Sequence, residues 1–238
     1  KIRLDGTDIV LLNGGPHFKF SPAISLFVTC ETTTEIDALW SKITAGGDVM
    51  MPLDNYEWSD RYGWGVDKFG MTWQLMLGKV SEVGQKIVPC FLFVNEQCGR
   101  GEEAIRLWTG LFPESPIDGI LHYGAGEPGR EGTIKHAQFA LSGGKFMVMD
   151  GPGEHAFGFN EAFSLIIDCA DQTEIDHYWD GLTADGGAES MCGWLKDKFG
   201  VSWQAVPSNI AELLSNPAAA QALFRMKRID IAKLENAG

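Results

Sequence analysis

Apolar and polar positions follow two periods along this chain, and the same succession of periods is written more than once. Residues 23–30 form a short apolar run that reads as a buried strand. Thr32 and Glu35 then make a capping box, and Ile36, Leu39, Trp40 and Ile43 follow at helical spacing, with Gly46-Gly47 closing the helix. Two aromatic-rich segments joined by Asp67-Lys68-Phe69-Gly70 read as a β-hairpin. The whole pattern returns as an apolar run over 163–169, a helix start at Asp171 with Glu174, and a stripe of Ile175, Trp179 and Leu182. Gly186-Gly187 and a second hairpin around Asp197-Lys198-Phe199-Gly200 complete it. In the last strand Val201, Trp203 and Ala205 face one way and Ser202, Gln204 and Val206 the other. One amide, Gln74 or Gln204, therefore lies mid-strand in each copy.

The offsets between copies locate the repeat. Residues 2–6 and 10–14 match 139–143 and 147–151 at a shift of 137; Ser25, Cys30 and Trp40 match Ser164, Cys169 and Trp179 at 139. Extra residues in the first copy, around Tyr56 to Tyr62, bring the shift to 130 at Trp64/Trp194 and Gln74/Gln204. That insert reads as a lid or a longer loop. Between the copies, 87–94 reads as a strand, 101–112 as a helix, and 117–123, 134–141 and 145–149 as strands. The expected fold is α+β, a tandem of βαβββ units. Residues 1–78 form an incomplete first module, 86–207 a complete second, and 208–238 a helical extension in which Ser208 caps a short helix. By alignment of the copies, a further stretch of roughly fifty residues is expected ahead of Lys1. Without it, the first strands leave unpaired edges for a partner to cover.

Composition narrows the function classes. The formal net charge of -13 disfavours a nucleic-acid partner, whose binding depends on Lys and Arg. Cys30, Cys90, Cys98, Cys169 and Cys192 show no Cys-x-x-Cys spacing, so the expectation is a reduced, cytoplasmic protein with neither a disulfide framework nor a zinc site. No apolar run reaches membrane-spanning length.

Several segments together carry a family resemblance: Phe91-Leu92-Phe93, Ala104-Ile105 with Trp108, Phe159-Asn160-Glu161-Ala162, residues 192–200 with Trp203-Gln204, and residues 226–230. Over residues 86–238 the chain resembles the PhnB-like family, also labelled the 3-demethylubiquinone 3-methyltransferase domain. That family lies within the vicinal oxygen chelate superfamily of glyoxalases, bleomycin-resistance proteins and dioxygenases. The resemblance implies strands curled around a cup that holds a small-molecule site. Metal enzymes of the superfamily place His, Glu or Gln ligands on the cup-facing strands. Carried over, those positions fall on Pro89, Met147 or Met149, Ser164 and Gln204, of which only Gln204 can ligate, so no metal or other cofactor is expected.

The remaining candidates for chemistry are weak on physical grounds. Gly124-Ala125-Gly126-Glu127-Pro128-Gly129 spells a dinucleotide motif, but it leads into a β-like run instead of a helix. The usual cofactor loop of a methyltransferase is missing for the same reason. Ser25 and Ser164 have no histidine nearby in sequence, and His17, His122, His136, His155 and His177 show no ligand spacing. Cys98 precedes Gly99-Arg100, and a nearby cation lowers a thiol pKa. What remains is a binding cup with Phe91, Phe93, Gln138, Met147, Met149, Ser164, Trp194 and Gln204 as expected ligand contacts, and Ser25, Trp64 and Gln74 as first-module counterparts. The expected function is metal-independent binding of a small molecule, with a homodimer through strand pairing as a further expectation. The alternatives are a metal-dependent isomerase, lyase or dioxygenase, or the methyl transfer implied by the family label.

Overall fold

A computed structural model describes the whole chain, Lys1–Gly238, which divides into two compact units, residues 1–158 and 159–238. The first unit opens with a two-stranded antiparallel pair, β1 (Ile2–Leu4) and β2 (Thr7–Ile9). Next come β3 (Ile24–Cys30), α1 (Thr33–Ile43), β4 (Asp48–Tyr56), β5 (Ser59–Val66), β6 (Thr72–Leu77) and the single turn α2 (Val80–Val83). The pattern then repeats as β7 (Ile87–Phe93), α3 (Gly101–Leu111), β8 (Ile117–His122), β9 (Ile134–Leu141) and β10 (Gly144–Asp150). These eight longer strands form one mixed sheet in the order β4-β5-β6-β3-β7-β10-β9-β8.

The second unit contains β11 (Ser164–Cys169), α4 (Gln172–Thr183), β12 (Ala188–Glu189), β13 (Trp194–Lys196) and β14 (Ser202–Pro207). Its sheet has four strands in the order β11-β14-β13-β12. The helical tail consists of α5 (Ile210–Leu213), α6 (Pro217–Leu223) and α7 (Ile231–Glu235). Asn209, not Ser208, occupies the cap position of α5, and no side-chain cap bond forms there. No helix is long and apolar enough to cross a membrane.

Both expected helix caps form, with Thr32 accepting from the Glu35 amide and Asp171 from the Glu174 amide. The centre of the large sheet is the antiparallel seam between β3 and β7, with Ser25 opposite Cys90 and Leu26 opposite Pro89. Each strand–helix–strands segment thus joins its neighbour edge to edge, 24–77 with 87–150. The compact units consequently divide at residue 158, not near residue 80. The same local pattern can pair with the segment before it or after it, so periodicity does not choose between the two.

Pleating then assigns side chains to two faces. One face of the large sheet lies under the helices. Phe91 and Phe139 pack on Trp108 of α3 at ring-centroid distances of 5.4 and 6.1 Å. On β5, Gly63 and Gly65 make room for Trp40 of α1; a Cβ at Gly63 would meet its ring at 2.7 Å. Because these glycines face the helix, Tyr62 and Trp64 between and beside them face the other way.

Candidate functional site

That opposite face of the first unit gathers residues from several strands. Ser25 and Phe27 on β3 stand beside Cys90 and Val88 on β7, and Phe27 stands beside Gln74 on β6. Trp64 lies opposite Gln74, Tyr62 opposite Met76, and Met51 opposite Trp64. Met147 on β10 adjoins Cys90, and Gln138 on β9 lies opposite Met147. Phe27, Tyr62, Val83, Val88, Cys90 and Met147 form one buried cluster, with Met51, Tyr56, Trp64, Met76 and Met149 packed against it.

A short hydrogen-bonded chain runs through this apolar surround. The Tyr62 hydroxyl donates to Gln74 Oε1 at 2.7 Å, and Gln74 Nε2 donates to Ser25 Oγ at 2.7 Å. Gln74 is 1% exposed, so its amide needs both partners. The Cys90 thiol lies against Gln74 and Ser25; burial pushes it up to about 12, a rise the two hydrogen bonds only moderate. Burial likewise raises the Tyr62 hydroxyl well above its ordinary value. Every group in the chain is therefore neutral at physiological pH, and Cys90 is a poor nucleophile there. Trp64 Nε1, on the same face, is buried without a hydrogen-bond partner.

The insert of the first copy closes over this face. It extends β4 and β5 into a long hairpin whose pairing slips between Met51, Asp54 and Tyr56, and such slips turn side chains away from strict alternation. Tyr56 and Trp58 stack at 4.9 Å, and both meet Tyr62 edge-on at 5.8 and 5.9 Å. Arg61 ties the hairpin to α1 through Asp37 at 2.6 Å.

The Asp-Lys-Phe-Gly turns position the central amides. Asp197 accepts from the Phe199 and Val201 amides and from Trp203 Nε1, each at 3.0 Å, so the turn and the strand after it form one rigid piece. Asp67 repeats the arrangement with Phe69, Met71 and Trp73. In the second unit Gln204 Nε2 donates to Ser164 Oγ at 2.9 Å and Trp194 lies opposite Gln204, the counterpart of Gln74, Ser25 and Trp64. There the amide is half-buried, and Cys192 stands at the position of Tyr62.

The expected contacts are thus distributed over two faces and two units. Met147 and Met149 join Ser25, Trp64 and Gln74 in the first unit, while Ser164, Trp194 and Gln204 group in the second. Phe91 and Phe93 do not line the cup face; they are part of the core beneath α3. Gln138 spends its amide on the Val83 carbonyl and Asp118. The ligand position carried over to Pro89 is one residue out of phase: Pro89 faces α3's side with Leu26, and Cys90 takes the opposite face with Ser25. Tyr62 was within reach of alternation from Trp64, and Cys90 was hidden only by that slip. Cys98 sits in the turn before α3, and burial, with Asp150, raises its thiol pKa, an effect Arg130 offsets only partly.

The superfamily implies a metal here, and the hydrogen-bonded donors around Gln74 do not fit one. The central four, Cys90, Ser25, Gln74 and Tyr62, are a neutral thiol, a hydroxyl, an amide and a phenol already bonded to one another; His136, two residues before Gln138 on β9, is a single imidazole whose pKa burial lowers, and the nearby Asp118 carboxylate is engaged by Lys145 and Gln138. No group of three His, Cys, Asp or Glu side chains in the chain is arranged to hold an ion. Gly124–Gly129 connects β8 to β9 and starts no helix.

Paired strand–helix–three-strand segments joined edge to edge in one mixed sheet define a glyoxalase-like protein of the vicinal oxygen chelate superfamily. Within it, the chain belongs to the PhnB-like family described as 3-demethylubiquinone-9 3-methyltransferase, whose sequence profile matches residues 1–76 and 85–206. Among solved structures, a putative 3-demethylubiquinone-9 3-methyltransferase, PhnB protein, from Bacillus cereus is 39% identical, covering 49% of this chain and 95% of its own, with a TM-score of 0.45. A mutant glyoxalase I from Zea mays is 10% identical, covers 86% of this chain and 74% of its own, and has a TM-score of 0.52. Protein PA1353 from Pseudomonas aeruginosa is 19% identical over 48% of this chain and 92% of its own, with a TM-score of 0.41. No curated protein is significantly similar to the chain.

Proposed function

We propose that the face of the first unit bearing Trp64 and Gln74 binds a small, mainly apolar molecule carrying a carbonyl or hydroxyl oxygen, without a tightly bound metal. The observation that carries this reading is Trp64 Nε1, a buried donor without a partner, set among methionine and aromatic side chains beside the Gln74 amide. Leaving such a donor unsatisfied costs about 1–3 kcal/mol, which an acceptor oxygen would recover. Apolar walls with a few placed polar groups are the usual make-up of a ligand site. The hairpin bearing Tyr56 and Trp58 covers the face, so entry requires it to lift.

The test uses two titrations of the full chain. Small aromatic ketones and quinones are titrated while Trp fluorescence is followed, with Trp64→Phe as the comparison; saturable quenching lost in the variant is the expected result. Divalent ions are titrated by calorimetry and native mass spectrometry. Stoichiometric micromolar binding of one ion per unit would overturn the metal-free reading in favour of a metal-assisted isomerase, lyase or dioxygenase. Methyl transfer, named in the family description, predicts instead a product heavier by one methyl group.

A further inference from the structure

We propose that His136 is the second polar contact of the site around Trp64, and that the molecule bound there carries a hydroxyl group which hydrogen-bonds this imidazole. The proposal rests on the reading that this face takes a ligand and narrows which one. The first unit is built from two like halves, 24–77 and 87–150, and the seam between them relates one to the other. Ser25 pairs with Cys90 and Phe27 with Val88, so a two-fold axis through the seam exchanges Ser25 with Val88 and Phe27 with Cys90. Gln74 stands beside Phe27 as Met147 stands beside Cys90, and Trp64 lies opposite Gln74 as Gln138 lies opposite Met147. Two residues earlier on each strand, Tyr62 corresponds to His136.

The two halves treat that position differently. Tyr62 donates to Gln74 and Gln74 to Ser25, whereas the corresponding places beside His136 hold Met147 and Val88, which offer at most a weak thioether acceptor. His136 shares its face with Gln138, and its cross-strand neighbour is Leu121. Gln138 is already committed to the Val83 carbonyl and Asp118. The imidazole therefore makes no hydrogen bond or ion pair within the chain, although it is half-buried. Burial lowers its pKa and no charged group acts on it, so the ring is neutral at physiological pH. A neutral imidazole presents one donor and one acceptor.

Trp64 and His136 belong to one site. Met149, two residues beyond Met147 and so at the level of His136, packs on the same buried cluster as Trp64. The pKa of Lys135 is raised chiefly by its hydrogen bond to Glu127, and Glu57, between Tyr56 and Trp58, adds to the rise; the hairpin over Trp64 thus reaches the strand that carries His136. An acceptor oxygen answers the Trp64 donor. A hydroxyl answers His136, because it can donate to the bare ring nitrogen. A carboxylate has no proton to give, and an ammonium group would be desolvated among methionines with no anion to meet it. The class that fits is a neutral, mainly apolar ketone bearing a hydroxyl group.

The test compares acetophenone with its monohydroxylated forms, titrated by calorimetry into the full chain as wild type, His136→Phe and Trp64→Phe. At least one hydroxylated isomer should bind the wild type about tenfold more tightly than acetophenone, and in His136→Phe that gain should fall below about twofold while acetophenone binds as before. If the phenylalanine variant folds poorly, nitrogen-15 spectra of the wild type supply the second measurement: the preferred isomer should shift the His136 ring nitrogens and acetophenone should not. Acetophenone bound in a Trp64-dependent way with no gain from any hydroxyl, a gain that His136→Phe leaves intact, or ring nitrogens indifferent to the preferred isomer overturns this inference and leaves the ligand reading of Trp64 standing. Absence of saturable binding by any of these ketones overturns both.

Discussion

Replacing Gln74 and Gln204 in turn by methionine measures what the sheet has made of one repeated residue. Methionine nearly matches glutamine in volume, so the cavity contribution is small and the difference reports hydrogen bonding. Gln74→Met removes the acceptor of the Tyr62 hydroxyl and the donor to Ser25, bonds of 2.7 Å each, at a side chain 1% exposed. Ser25 can turn its hydroxyl toward Cys90, but the Tyr62 hydroxyl is left as a buried donor without a partner. The expected cost is about 1–3 kcal/mol, reduced somewhat by burying a thioether in place of an amide. Gln204→Met removes one bond, to Ser164, at a half-buried position where water can replace it, and should cost about 0.5 kcal/mol or less. Urea unfolding, followed by far-ultraviolet circular dichroism and Trp fluorescence, resolves the two values. Adding Tyr62→Phe to Gln74→Met removes the stranded donor as well and should restore part of the loss. Equal costs at the two glutamines, or a double variant no better than Gln74→Met, would refute the reasoning that buried satisfaction at Gln74 organises the first unit.

The Asp-Lys-Phe-Gly turns offer a second comparison. Asp197→Ala strands the amides of Phe199 and Val201 and the Trp203 indole, all buried, and should lower the stability of the second unit by about 3–5 kcal/mol in the same unfolding assay. Acid stability of the first unit depends in part on Glu35, whose pKa is lowered first by its hydrogen bond from Lys86 at 2.5 Å and then by the Glu31 amide. A lowered carboxylate contributes stability above its unfolded pKa and loses it as pH falls through the folded value. Glu35→Gln should therefore flatten stability between about pH 5 and 3, by about 1 kcal/mol or less because the pair is partly exposed.

Much of the architecture was legible in the residues because it is local. Thr32 and Asp171 cap their helices through side chains a few positions away, and the two Asp-Lys-Phe-Gly turns close through bonds within six residues. Alternation placed one amide mid-strand in each copy, Gln74 and Gln204; the structure set each beside its serine, Ser25 and Ser164. Phase was missed at β7: the family resemblance put Pro89 at the ligand position, one residue away from Cys90, and Phe91 and Phe93, expected as contacts, share the face of Pro89. A strand with seven apolar or small residues in a row, Ile87–Phe93, carries no alternation to fix the phase.

By itself, then, the sequence determined that strand–helix–strands segments recur, where each begins and ends, and that an amide sits mid-strand in each copy. Tertiary structure alone decided which segments share a sheet. It joined β3 to β7 and left β11 at an edge, so one glutamine is buried between a tyrosine and a serine while its copy stands half-open. The physical reason is that short-range propensity depends on neighbours in the chain, whereas burial and hydrogen-bond satisfaction depend on which strand lies alongside.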